Sequence, residues 1–222
     1  MAKAVFITLA AAAMVFAATA CKKEAVEEGA APPETPGAAA EVKPPNVAGT
    51  FYPGEAEALR ADVEARLAAG EATLPAEDVV ALLTPHAGYV YSGGVAATAF
   101  REVRGRQPAT VVLLGPSHHC ARREIATATY DGFETPLGVV DVDGEFVEAV
   151  AEKCAEVAYT NVPFAQEHCL EVQLPFLQTL FPEAKVAPFI FCRHDREAAE
   201  HFGEALAEVI AAREAETLLV VT

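Results

Sequence analysis

The chain has 222 residues, 52% of them hydrophobic, enough for one sizeable core and too few for two. Its 32 acidic against 16 basic residues give a formal charge of -16, and no segment concentrates Lys and Arg. Composition therefore excludes a nucleic-acid surface or an anionic-membrane surface and predicts a single domain with a solvated acidic exterior.

Lys3 precedes an uncharged stretch from Ala4 to Ala20 that closes on Ala18-Thr19-Ala20-Cys21. A positive start, an apolar middle and small residues before a Cys make residues 1–21 an export signal that resembles a bacterial lipoprotein signal peptide. That resemblance implies lipidation of Cys21 and a membrane-anchored protein of the cell envelope, because two or more acyl chains hold a protein stably on a bilayer. Ala18 stands where such signals usually carry Leu, so secretion with cleavage near Ala20, or an uncleaved anchor helix, stays open. Residues 22–45 are Ala, Glu, Pro and Gly with scarcely a large apolar side chain, and are expected to form a disordered linker.

The domain is expected to occupy residues 46–222. After the turn-rich VAGTFYPG (Val47–Gly54), Leu59, Val63 and Leu67 recur at four-residue steps and predict a helix that Gly70 stops. A buried strand follows over Val79–Thr84, then a glycine-rich turn through Gly88, Gly93 and Gly94, then a helix over Val95–Val103. Thr110–Leu114 is a second apolar strand, again followed by Gly and Pro. Ile125–Ala128 and Gly138–Val142 read as short strands around an Asp131-Gly132 turn. Glu145–Val157 and Glu167–Phe181 read as helices, the second interrupted at Pro175. Lys185–Phe191 is a strand, Arg196–Ala212 a helix and Thr217–Thr222 a last strand. Strands alternating with helices predict an α/β fold with a mainly parallel central sheet flanked by helices. A chain that stops on LLVVT leaves one face of an interior strand without its cover, so the domain is expected to be incomplete at its C-terminus and poorly stable.

The residues with chemistry stand where strands end. His86 follows the first apolar run and His118-His119 the second, and in an open α/β sheet ligands bind at the carboxyl ends of the strands. Two neighbouring strands that both end in His aim two imidazoles at one point, which suits a metal or an acid/base site. Adjacent residues of an extended chain face opposite ways, so one of His118 and His119 faces the site and the other supports it or faces solvent. Each could equally be a hydrogen-bonded turn residue. Glu167, His168 and Glu171 share the first turn of a predicted helix; the helix dipole favours acids there whatever the function, while His168 is a candidate acid/base at the cleft. Cys120, Cys154, Cys169 and Cys192 allow three complete disulfide pairings, among which spacing does not choose. Without a Cys-x-x-Cys, a structural zinc site of that kind is not indicated. His194 and His201 lie on a polar acidic stretch and read as surface.

VAGTFYPG, PHAGYVYSG, GPSHH and EHCLEVQLPFL, in this order, resemble the Memo-like family, called AmmeMemoRadiSam system protein B in bacteria. The likeness runs from about Val47 to the end of the chain. It implies a fold similar to the class III extradiol dioxygenases, which hold non-haem iron at the edge of an α/β sheet, and it implies that His86 and His118 are metal ligands for a divalent metal, iron or copper. Cys169 stands where the family usually has Ser. The Ser-Ser-Asp-x-x-His segment and the later ligand, commonly Cys, are not in this sequence, so the resemblance implies two protein ligands and a weakly held ion.

Three functions follow from these residues. The first is a metal-dependent redox enzyme with His86 and His118 as ligands and His168 as acid/base, acting on a small-molecule substrate. The second is a non-catalytic, membrane-tethered binding protein for a small molecule or peptide. The third is metal-assisted hydrolysis with His119, His168 or Glu167 as base.

Overall fold

The computed structural model describes residues 40–120, 122, 124–192, 196–213 and 215–222. In chain order the elements are β1 (Val42–Lys43), α1 (Ala56–Ala68), β2 (Ala81–Leu83), α2 (Tyr89–Arg101), β3 (Thr110–Pro116), β4 (Ile125–Thr127), β5 (Gly132–Thr135), β6 (Gly138–Asp141), α3 (Gly144–Lys153), β7 (Val157–Tyr159), α4 (Leu174–Leu180), β8 (Lys185–Phe191), α5 (Arg196–Ala211) and β9 (Thr217–Val221). Six strands form a central sheet in the order β2-β9-β3-β8-β4-β7, parallel at every junction except β8 with β4. This is the expected α/β architecture. A smaller sheet, β1-β5-β6, stands beside it.

The central strands are buried on both faces, which is why they read as continuous apolar runs. Successive side chains of β3 go to opposite sides. Val111 and Leu113 join Leu218, Val220 and Ile190 under α1, α2 and α4, while Val112, with Ala187 and Phe189, packs under α3 and α5. The helix α3 begins at Asp143, whose side chain accepts from the Phe146 N–H and also from Thr110 and Arg213. Beyond α5 the second face stays open: Leu114, Phe191, Phe202, Leu206, Leu219 and Val221 line an apolar groove of about 590 Å³.

Several expectations are corrected. The predicted linker includes part of a strand, because Val42 and Lys43 pair in parallel with Gly132 and Phe133, so the residue 22–45 boundary lies too late. Lys43 is buried there, 3.7 Å from the Glu171 carboxylate. The glycine-rich turn is mostly helix: Gly88 caps α2, and Gly93 lies within it beside the Arg66 guanidinium of α1, which a Cβ there would meet at 2.9 Å. The hairpin joins β5 to β6, not β4 to β6, and turns at Pro136-Leu137 with Gly138 at φ +119. Residues 163–173 form short 3-10 turns rather than one long helix, and Pro175 lies in the first turn of α4, where its missing N–H costs nothing. The short strand β7 was not foreseen. Finally, β2 and β3 are not neighbours, since β9 lies between them.

Candidate metal centre

The carboxyl ends of β2, β9 and β3 meet the segment 167–173. Gly115 makes the meeting close. A Cβ at that position would stand 2.6 Å from Cys169 Sγ and 2.8 Å from Leu170 Cδ2, so only glycine admits this segment against β3. The Cys169 thiol, fully buried, donates to the Pro116 carbonyl at 3.1 Å and fixes the contact. His168 is thereby carried over His118.

Three imidazoles gather there. His86 and His118 ring centres lie 5.2 Å apart, His118 and His168 stack at 4.8 Å, and His86 and His168 stand 6.1 Å apart. The rings of His86 and His118 are this close although their strands are separated by β9. Its following residue, Thr222, bridges the gap: its N–H donates to Leu114 O of β3 at 2.9 Å, and its hydroxyl donates to Thr84 O at 2.9 Å and accepts from Gln173 Nε2 at 2.9 Å. With its one proton spent on Thr84, that hydroxyl meets His86 Nδ1 at 3.1 Å as an acceptor. His86 is then an Nδ1–H tautomer with its lone pair on Nε2.

Glu167 does the same for His118. Its carboxylate, 4% exposed, accepts from His118 N–H at 2.6 Å, His118 Nδ1 at 2.8 Å, His168 N–H at 2.9 Å and Cys169 N–H at 3.1 Å. Burial pushes this carboxyl up, yet the four hydrogen bonds outweigh it and hold its pKa at about 2. An ionised Glu167 orients His118 with Nδ1–H inward and Nε2 outward, the carboxylate–imidazole arrangement common behind metal ligands. Burial lowers the pKa of both His86 and His168. For His86 the neighbouring His118 and His168 add to that lowering; for His168 the Glu167 charge opposes it. Both rings are thus held neutral, the state in which an imidazole can bind a metal.

Among the described residues, His118, Glu167 and His168 form a group of three metal-capable side chains whose ligand atoms lie within 4.8 Å of one another. By distance Glu167 is the third donor. By hydrogen bonding it is the anchor, because three of its four accepted protons sit on Oε1 and the whole carboxylate is enclosed.

The cluster opens into a cleft of about 580 Å³ walled by Thr50, Phe51, Ala87, Gly88, Val90 and Tyr91. The VAGTFYPG segment supplies the first two. Gly49 turns it at φ +75, the Phe51 carbonyl accepts the Tyr89 N–H at 2.7 Å, and the Phe51 ring meets His168 edge-on at 4.8 Å. Glu171 holds the segment from beneath through Asn46 N–H, Val47 N–H and the Tyr52 hydroxyl, so its role is structural. Tyr89 is core, donating to Val172 O, while Val90 and Tyr91 are exposed at the mouth. His119 is exposed and outside the cleft lining, so of the two adjacent histidines His118 faces the site. His201 is also exposed; His194 and Cys21 lie outside the described residues. Sequence reasoning missed Phe51 and Thr222, whose only signals were their places in VAGTFYPG and at the end of LLVVT.

A family model described as Memo-like protein matches residues 43–222. The chain belongs to the Memo-like family. Proteins named MEMO1 family protein are 33% identical over 177 residues in Nitrosopumilus maritimus, 37% over 185 in Methanopyrus kandleri and 38% over 185 in Aquifex aeolicus. These alignments cover 78%, 79% and 82% of this chain, which spans 64%, 65% and 66% of those Memo-like relatives. All four motifs read from the sequence lie within the matched range. All four line the cleft, and EHCLEVQLPFL supplies His168 together with the buried Glu167.

Proposed function

We propose that this Memo-like chain is a non-haem metal-binding redox protein whose ion is held by His86, His118 and His168, with Glu167 and Thr222 as the groups that aim two of those rings. The observation that carries the reading is the convergence of three imidazoles at the carboxyl ends of the strands, with the inward nitrogens of His86 and His118 already engaged. The donor set fits a divalent metal: neutral imidazoles suit iron, copper and zinc, and three protein ligands leave open positions, as catalytic sites require. Iron or copper, when bound, would supply one-electron chemistry to a molecule in the cleft. The chain's own contribution is orientation and exclusion of water. Phe51 and Val90 present apolar walls, and among the described residues no Lys, Arg, Asp or Glu lines the cleft, so a small, largely apolar substrate suits it. The family resemblance had implied two protein ligands; His168, first considered as an acid/base, is assigned here as the third.

The experiment is metal analysis of protein purified without chelators, coupled to oxygen uptake. Stoichiometric iron or copper with oxygen consumption supports the reading. Zinc alone, with no oxygen uptake, moves it to metal-assisted hydrolysis, and no retained metal from any supplement leaves only the binding-protein alternative. We further propose export and anchoring through Cys21, supported by the layout of residues 1–21. Among the described residues no helix is long and apolar enough to cross a membrane.

A further inference from the structure

A fully enclosed amide sits where the segment 167–173 meets the strand ends. Gln173 has no exposed surface, and its Nε2 lies 2.9 Å from the Thr222 hydroxyl, 3.1 Å from Pro85 O and 3.4 Å from Cys169 O. Two of those partners are carbonyls, which only accept, so the end that meets them is the nitrogen, and its two protons serve Thr222 and Pro85 at the shorter distances. The other end gains nothing: among the described residues Gln173 Oε1 is buried without a hydrogen-bond partner. An unpaired buried acceptor costs stability, and an apolar side chain of similar length would avoid that cost. What the amide offers in return is its nitrogen. Both targets of that nitrogen lead to His86. Pro85 immediately precedes it in the chain, and the Thr222 hydroxyl stands 3.1 Å from His86 Nδ1. The backbone of Gln173 lies on the other side of the centre, in the turn Glu171–Gln173, where Val172 N–H donates to His168 O at 3.1 Å. One side chain thus ties the segment bearing His168 to the strand end bearing His86.

We propose that Gln173 is a positioning residue of the centre: acting through the Thr222 hydroxyl and the Pro85 carbonyl, it holds the His86 ring against His118 and His168 and fixes which His86 nitrogen carries the proton. The Thr222 oxygen has one proton and two accepting sites. Its proton goes to Thr84 O, and Gln173 fills one accepting site, so the other takes the His86 Nδ1–H and leaves Nε2 with a free lone pair. Without the Gln173 proton the hydroxyl is free to turn and give its own proton to His86 Nδ1. The ring hydrogen then moves to Nε2 and blocks the lone pair that a metal would use. The effect on metal binding rests on the three-imidazole reading proposed above, whereas the state of the His86 ring does not.

The test compares the full chain with Gln173→Met, which keeps the length of the side chain and loses the donor, and with Thr222→Val and Thr222→Ser, which remove and keep the hydroxyl. Imidazole nitrogen NMR of the metal-free proteins, at a pH above the ordinary imidazole range, reads the His86 tautomer, with His86→Gln identifying its signals. Wild type and Thr222→Ser should show the Nδ1–H form, and Gln173→Met and Thr222→Val a mixture of both forms. Cu(II) affinity should fall by roughly tenfold or more in the latter two, be retained in Thr222→Ser, and fall in the double variant by less than the two losses combined. A Gln173→Met protein that folds with the wild-type tautomer overturns the proposal whatever the metal does, as do losses that simply add. A tautomer that changes as expected while no protein binds copper supports the role of Gln173 and refutes the metal reading instead. Wild-type protein alone decides the matter where a variant fails to fold: an Nδ1–H ring beside Gln173 amide protons that resist exchange supports the proposal, and an Nε2–H ring overturns it.

Discussion

Replacing Glu167 with Gln removes one charge while keeping the shape of the side chain, and the structure sets the size of the effect. The carboxyl falls from an ordinary 4.5 to about 2 in the folded protein, a difference of roughly 3 kcal/mol in favour of the ionised fold. Because the folded pKa is depressed, this stability is fully present above 4.5 and is lost as pH falls towards 2. In the Glu167→Gln variant the side-chain amide can still accept from one side, but its NH2 must face a donor, either the His118 N–H or the His118 ring. At pH 7 the variant should therefore melt below wild type by about 6 to 12 °C for a domain of this size. The gap should narrow steadily between pH 4.5 and the acid limit, where wild-type Glu167 takes up its proton. Differential scanning calorimetry of both proteins across that range, with denaturant titration at each pH, reads this directly. In parallel, Co(II) affinity should drop by roughly 10- to 100-fold, because His118 loses the group that orients it. A variant that melts within about 2 °C of wild type at pH 7, with a gap that does not change with pH, would refute the charged-anchor role.

Gly115→Ala should destabilise by about 1 to 3 kcal/mol by overpacking against Cys169 and Leu170, and should weaken metal binding with it, since His168 rides on the displaced segment; chemical denaturation and metal titration check the two halves, and an Ala variant with wild-type metal affinity contradicts the coupling. Cys21→Ser should abolish fatty-acid labelling and release the protein from the membrane fraction; labelling that survives the substitution removes the lipoprotein reading.

The parts of the fold that were legible in the sequence are those where burial alone decides the pattern. The strand Lys185–Phe191 and the core of Thr110–Pro116 lie between two helical layers, so their interior residues are almost all apolar and the strands announce themselves. Strand order was not legible. Which parallel strands become neighbours depends on how the connecting helices cross, and that placed β9 between β2 and β3. His86 and His118 could be picked from their positions after strands, yet Thr222, whose N–H meets β3 at Leu114 O and whose hydroxyl holds His86, is a residue with no distinctive sequence signal. Glu167 misled for a specific reason. Acid, His and acid at helical spacing look like a first turn, but this carboxylate spends itself on three backbone N–H groups and a ring, which holds residues 167–170 out of a regular helix. Gly93 misled likewise, because a glycine inside a helix is indistinguishable by type from one that turns the chain.

The most direct measurement is electron paramagnetic resonance of Cu(II) titrated into the wild-type protein and into His86→Ala, His118→Ala and His168→Ala separately. The three-imidazole centre predicts a single saturable site with nitrogen hyperfine structure, and a loss of affinity of roughly a hundredfold or more in each variant, at least the cost of removing a supporting partner. Copper binding that leaves all three variants with wild-type affinity, or a spectrum without nitrogen coupling, would contradict it.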